Sequence, residues 1–234
     1  MCTVSFIPLS AKDFIFTSNR DEDPGRDTLQ PKIYWESEVK LLFPKDAVAG
    51  GTWIGLSDRK RLACILNGGF TAHKREEQYR MSRGILVTEV LTAEAVKETI
   101  EEYNFKGIEP FTLLVVDWKF RPTLLELVWD GNIAHFSEKP WEPMIWSSSL
   151  LYSEDVKKQR EHWFVDFLDQ TESVSKENIL TFHHQSGEGN PETNLIMNRG
   201  FVKTKSISQI AKQEEDIIFR YEDIDTRQIS LHPF

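Results

Sequence analysis

Met1-Cys2-Thr3-Val4-Ser5-Phe6, answered one hairpin later by Asn19-Arg20-Asp21-Glu22, is the stretch from which the rest of this 234-residue chain can be read. Residues 2–9 and 13–18 are short runs rich in β-branched and aromatic side chains, and Ser10-Ala11-Lys12 between them reads as a hairpin turn. A regular hairpin returns Asn19 to the side of Cys2 and brings Arg20 and Asp21 within reach of it, before Asp23-Pro24-Gly25 ends the strand. Cysteine directly behind the initiator methionine becomes the first residue once that methionine is removed, and its thiol then stands beside a free α-amine. The thiolate is the attacking species, with a reference pKa of about 8.5. An α-amine titrates near roughly 7.7–8.0, so part of it is neutral at pH 7 and can accept a proton. Arg20 supplies a cation that favours thiolate, and Asp21 a carboxylate that orients the ammonium. Cysteine early in a strand is also a common small apolar residue, and Asn-Arg-Asp-Glu also suits a solvated turn after the strand.

Composition narrows the function classes. Hydrophobic residues make up 40% of the chain and aromatics 12%, with seven Trp and fifteen Phe, enough for a packed interior. A length of 234 residues suits one domain, and residues 1–234 are read as a single unit. The formal charge of −9 gives no general attraction to phosphate backbones or anionic lipid, so no nucleic-acid partner is expected. Two cysteines are too few for a disulfide framework, and Cys64 within Leu62-Ala63-Cys64-Ile65-Leu66 reads as a buried thiol. Neither a signal peptide nor a membrane span is expected, and the chain is read as cytoplasmic. His183-His184 do not share a ligand position on a helix, so no metal is expected; no cofactor is expected either.

Along the chain, residues 26–46 read as loops and edge strands. Gly50-Gly51-Thr52-Trp53-Ile54-Gly55-Leu56 reads as a strand opened by two glycines that permit positive φ or a close backbone approach, either as a site wall or as a plain bulge. Arg61 to Leu66 is a further strand, ended by Asn67-Gly68-Gly69. Ser82 and Thr92 are read as caps of two helices, Ser153 and Ser175 as caps of two more. Strands are expected over 111–118, 124–129 and 133–136, with a short apolar run at 144–146, and again over 195–198, 202–210, 217–221 and 229–231.

The order Met-Cys, Asn19-Arg20-Asp21-Glu22, Gly50-Gly51-Thr52-Trp53-Ile54-Gly55 and Asn67-Gly68-Gly69 resembles the NRDE family, also called the transport and Golgi organisation family. That family in turn resembles the cysteine branch of the N-terminal nucleophile hydrolases, which holds penicillin V acylase and bile salt hydrolase. The resemblance implies an α+β fold, a four-layer αββα sandwich of two mainly antiparallel sheets flanked by helices. It implies Cys2 as nucleophile, Arg20 and Asp21 beside it, and Asn67 as an oxyanion donor, a role that preorganised amide dipoles fill well. Asn19, Trp53, Ser148 and Lys205 are expected to face the substrate. Two positions depart from the pattern: Ser148 stands where relatives carry Asn, and Lys203-Thr204-Lys205 where they often carry Gly-Thr-Arg, so a planar fork is replaced by a point charge. The implied activity is hydrolysis of an amide C–N bond in a small acyl compound. The alternative is a non-catalytic binding or trafficking protein for a lipid-like acyl compound or haem, to which the two departures point.

Overall fold

Thr3–Pro8 (β1) and Phe14–Glu22 (β2) form the expected antiparallel hairpin, with Thr3 opposite Asn19 and Pro8 opposite Phe14. They belong to a computed structural model that describes residues 3–234; Met1 and Cys2, and with them the candidate nucleophile, lie outside the described residues. Backbone amides of Leu9 and Ser10 donate to Asp13 O, and Ser10 Oγ donates to the Asp13 carboxylate, so the turn is closed by its own polar groups. One expectation needs correction. Asn19–Glu22 is not a turn beyond the strand but the last four residues of β2, because a strand from the far end of the chain pairs with it on its other side.

The chain divides into two units, one made of the chain up to Gly25 with Trp141–Phe234, the other of Arg26–Pro140. Among the described residues each has its own antiparallel sheet and two helices.

In Arg26–Pro140 the order is Thr28–Glu36 (β3), Val39–Asp46 (β4), Ile54–Ser57 (β5), Arg61–Asn67 (β6), Arg83–Thr92 (α1), Val96–Glu102 (α2), Phe111–Asp117 (β7), Thr123–Trp129 (β8) and Ala134–Lys139 (β9). The seven strands lie side by side in chain order. Residues 26–46, expected as loops and edge strands, form a full hairpin turned at Ser37 and Glu38, both at positive φ. Its outer strand does lie at the sheet edge, where Pro31 is tolerated at a register shift between Leu29 and Lys32.

The two opening glycines have separate tasks. Gly50 has φ +74°, and a Cβ on Gly51 would stand 2.5 Å from the backbone carbon of Gly84 at the start of α1. The backbones approach that closely because Thr52 N donates to Gly84 O at 3.1 Å. Ser82 caps α1 as expected. Thr92 caps nothing: it is the last residue of α1, its hydroxyl bonds back to Thr88 O and Glu89 O, and α2 starts behind Ala95 without a side-chain cap. Arg61 ties this helix to the sheet. It is fully buried, pairs with Asp117 at 2.8 Å, and gives the same guanidinium to Val90 O and Ala93 O at the helix C-terminus.

The other unit continues with Met144–Ser147 (β10), Glu154–Asp169 (α3), Lys176–Gln185 (α4), Lys203–Gln213 (β11), Asp216–Asp223 (β12) and Ile229–Pro233 (β13). Its sheet runs β10-β1-β2-β11-β12-β13, which puts the first hairpin in the middle. Both helices begin where the sequence predicts, with Ser153 and Ser175 as caps. Leu195–Asn198 is not the expected strand. Leu195 N bonds to Ser186 O and Met197 N to the Thr204 hydroxyl, leaving only an isolated bridge from Asn198 to Lys203. The core of this unit joins Ile7, Ile15 and Ala211 on the sheet to Phe164 of α3, Ile179 and Phe182 of α4, and Leu195. Each such large side chain contributes about 1.5–3 kcal/mol by leaving water.

Candidate active site

Strand pleat decides where the Asn19-Arg20-Asp21-Glu22 side chains go. Successive side chains in a strand point to opposite faces. Thr17, Asn19 and Asp21 face α3 and α4, since Thr17 bonds to Gln209, whose amide also reaches Lys176 O, and Asn19 bonds to His183. Arg20 faces the other way. It and Glu22, two residues on, are 3.8 Å apart. Arg20 and Asp21 are both nearly inaccessible, at 2% and 1% exposure, so neither is a solvated charge. A charge is retained under such burial only where partners compensate its lost hydration.

Asp21 has two hydroxyl donors. Tyr152 Oη donates to Oδ2 at 2.7 Å and Thr204 Oγ1 to Oδ1 at 2.6 Å. Thr204 reaches it through an irregularity in β11: Thr204 pairs with Asp21 and Ser206 with Arg20, leaving Lys205 as an extra residue. Such a bulge re-aims side chains, and bulges recur beside functional sites. Tyr152 comes from the turn after β10, closed by Tyr152 N donating to Ser148 O at 3.1 Å. The Arg160 guanidinium lies 3.6 Å from the centre of its ring, and that of Arg199 5.2 Å from it. Arg160 is wholly buried in α3 and donates to Thr193 O, Asn194 O and the Thr3 hydroxyl. Among the described residues no carboxylate stands within ion-pairing distance of it.

His183 fixes the neighbouring position. Asn19 Nδ2 donates to Leu195 O at 2.8 Å, so its Oδ1 is turned to accept from His183 Nδ1 at 2.7 Å. Nε2 is then the acceptor of the neutral ring and takes the Ser5 hydroxyl hydrogen bond at 2.7 Å. Complete burial, with smaller contributions from His184 and Arg160, pushes the imidazole down from 6.5 to about 3. The ring is therefore an uncharged strut that pins β1 and β2 to α4.

Ser148 is buried in the turn that carries Tyr152. Lys205 donates to Pro24 O at 2.9 Å and pairs with Asp225 at 3.0 Å, so its ammonium is already engaged. In the unit of Arg26–Pro140, Trp53 is buried just before β5, and Asn67 is half-buried at the end of β6 opposite Phe111. Gly68, at φ +87°, donates to Pro110 O, and a Cβ on Gly69 would stand 3.0 Å from Trp129 O, so the glycine pair is a tight backbone crossing. Cys64 is buried in β6. His184 turns away from His183 and meets Glu222 at 3.0 Å. Among the described residues no group of three His, Cys, Asp or Glu could hold a metal, and no helix is long and apolar enough to cross a membrane.

Sequence reasoning missed Tyr152, Thr204, Arg160 and His183. Thr204 lay inside a triplet read for its lysines, and a signal for Arg160 existed in its position on the apolar stripe of α3, four residues before Phe164.

Comparison with solved structures gives matches over the whole chain. A single-site variant of conjugated bile acid hydrolase from Clostridium perfringens matches with a TM-score of 0.62 at 11% identity, covering 99% of this chain and 92% of that one. Penicillin V acylase from Agrobacterium tumefaciens gives 0.58 at 12% identity, covering 100% and 86%. The Caenorhabditis elegans ortholog of N-acylethanolamine-hydrolyzing acid amidase gives 0.60 at 10% identity, covering 100% of both. Two antiparallel sheets with four helices are thus the α+β fold of the N-terminal nucleophile hydrolases. No curated protein matches the chain in sequence. A family model described as Transport and Golgi organisation 2 matches residues 1–180, and the chain belongs to that family.

Proposed function

We propose that the protein is an N-terminal-cysteine amide hydrolase acting on a small acyl-amide compound. The observation that carries this reading is the end of β2, where Arg20 and Asp21 are buried on opposite faces of one strand while Thr3 pairs with Asn19. A buried cation on one side and a buried carboxylate on the other suit two different groups of one residue, a thiol and an α-amine. Cys2 attacks the acyl carbon and its α-amine takes the thiol proton and passes it to the leaving amine. Asp21 holds the ammonium form in place, and Asn67 donates to the oxyanion. Water then releases the acyl group. The fold of acyl-amide hydrolases supports the reading. Trp53 and Ser148 are its proposed substrate-side residues, whereas the Asn19 amide is spent on His183 and Leu195 O and the Lys205 ammonium on Pro24 O and Asp225.

Alkylation tests the activated thiol without knowledge of the substrate. Iodoacetamide should modify Cys2 about 100-fold faster than buried Cys64 at pH 7, with a midpoint below the reference thiol value. Arg20→Ala should move that midpoint upward by about one unit, because a nearby cation that favoured thiolate is gone. Equal labelling of both cysteines, or an unmoved midpoint in Arg20→Ala, would contradict the assignment.

A further inference from the structure

Asp21 and Arg160 are an inaccessible carboxylate and an inaccessible guanidinium with one side chain between them. The guanidinium lies against the face of Tyr152, and the Tyr152 hydroxyl donates to Oδ2 of Asp21. From this geometry we propose that Tyr152 and Arg160 are positioning residues for Asp21, acting as an ion pair transmitted through a phenol. This rests on the reading of Asp21 as the counter-charge of the Cys2 α-amine.

A cation over an aromatic face is attracted by the ring quadrupole, more strongly when both are out of water, so Arg160 holds the plane of the ring. Its guanidinium cannot drift, because Thr193 O, Asn194 O and the Thr3 hydroxyl take its N–H groups. A positive charge at the ring also makes the phenol a better donor, and a charge-assisted O–H to carboxylate bond is directional as well as strong. With Thr204 on Oδ1 and Tyr152 on Oδ2, both carboxylate oxygens are held. The other charged groups nearby are engaged elsewhere: Arg199 meets the same ring and Leu151 O, His183 of α4 is neutral, and Lys203 and Lys205 of β11 are paired with Asp225. Arg160 thus has a task beyond packing. It keeps Tyr152 where its hydroxyl can fix the orientation of Asp21, and Coulomb attraction to an ammonium falls as that orientation is lost.

The test reads the α-amine directly, in protein whose first residue has been confirmed as Cys2. With the Cys2 thiol first blocked by iodoacetamide, so that it cannot trap the aldehyde as a thiazolidine, reductive methylation with formaldehyde and a borohydride followed by mass analysis across a pH series gives the amine midpoint. Asp21→Asn should lower it by about one unit, since the ammonium loses its counter-charge. Tyr152→Phe keeps the ring and its stacking and removes only the hydroxyl, and should lower the midpoint in the same direction by about half as much. Arg160→Lys, which keeps charge but loses the planar fork, should shift it likewise. Adding Tyr152→Phe to Asp21→Asn should shift nothing more, because residues acting as one unit are non-additive. A Tyr152→Phe midpoint equal to the parent's, with Asp21→Asn shifted, overturns the relay and leaves the proposed function standing. An additive double variant overturns it too. An unmoved midpoint in Asp21→Asn removes the reading of Asp21 itself, and the relay with it. Melting temperatures measured alongside exclude loss of fold as the cause of any shift.

Discussion

Lowering the pH from 7 towards 4 is expected to destabilise the protein by several kcal/mol, with His183 as a principal source. Its imidazole is pushed down from 6.5 to about 3 by burial. Between those values the unfolded chain binds a proton at this residue and the folded chain does not. Stability therefore rises with pH across that window, is fully present above about 6.5, and is lost as the pH falls towards about 3. At roughly 1.36 kcal/mol per unit the contribution reaches about 5 kcal/mol. His183→Gln removes the titrating ring, so it should lower stability at pH 7 yet flatten the slope of unfolding free energy between pH 4 and 6.5. Urea unfolding of parent and variant at several pH values measures this. Parallel slopes in the two proteins would contradict the account of a neutral, buried ring.

The second large effect concerns turnover. Cys2→Ala should reduce hydrolysis of an N-acyl amide substrate by about 10^4-fold or more, since no described side chain is offered as a second nucleophile. Asp21→Asn should reduce kcat by roughly 100-fold with little change in KM, because it acts on proton transfer rather than on binding. The two kinds of loss must be separated from unfolding. Cys2→Ala should leave the melting temperature nearly unchanged. Asp21→Asn leaves Tyr152 and Thr204 facing an amide and should lower it modestly. Substantial activity in Cys2→Ala, against any acyl-amide that the parent hydrolyses, would falsify the assignment of the nucleophile.

The fold was legible wherever local chemistry decides. Ser10 to Lys12 between two β-rich runs and the Ser82, Ser153 and Ser175 caps all signal structure within a few residues. It was illegible where distant partners decide. Asn19–Glu22 carries the composition of a turn and is a strand only because β11 pairs with it. Thr92 has the chemistry of a cap but spends its hydroxyl on the preceding helical turn. Thr28–Glu36 alternates too weakly for the bounds of an edge strand to be read, as a strand with six of its nine residues exposed will.

The candidate site shows the same division. Arg20 and Asp21 could be singled out because charges in a short motif are visible in a string of letters. Their separation onto two faces of a strand follows from pleat alone once the motif is known to be extended. What holds them was hidden. Tyr152 reaches Asp21 from a turn more than a hundred residues later, with Arg160 of α3 against its ring, and Thr204 reaches it through a bulge that no spacing announces. His183 was set aside as a metal ligand and given no other task in the sequence, yet it is the buried acceptor of Ser5.

The intact mass of the mature protein, purified from its native host, tests the central claim most directly. A small second residue permits methionine removal, and the proposed chemistry needs the α-amine of Cys2 to be free. The account predicts a mass corresponding to a chain that begins at Cys2, with no acyl group on its nitrogen. A mass that retains Met1, or a blocked amine at Cys2, would contradict the N-terminal nucleophile mechanism while leaving the fold as it stands.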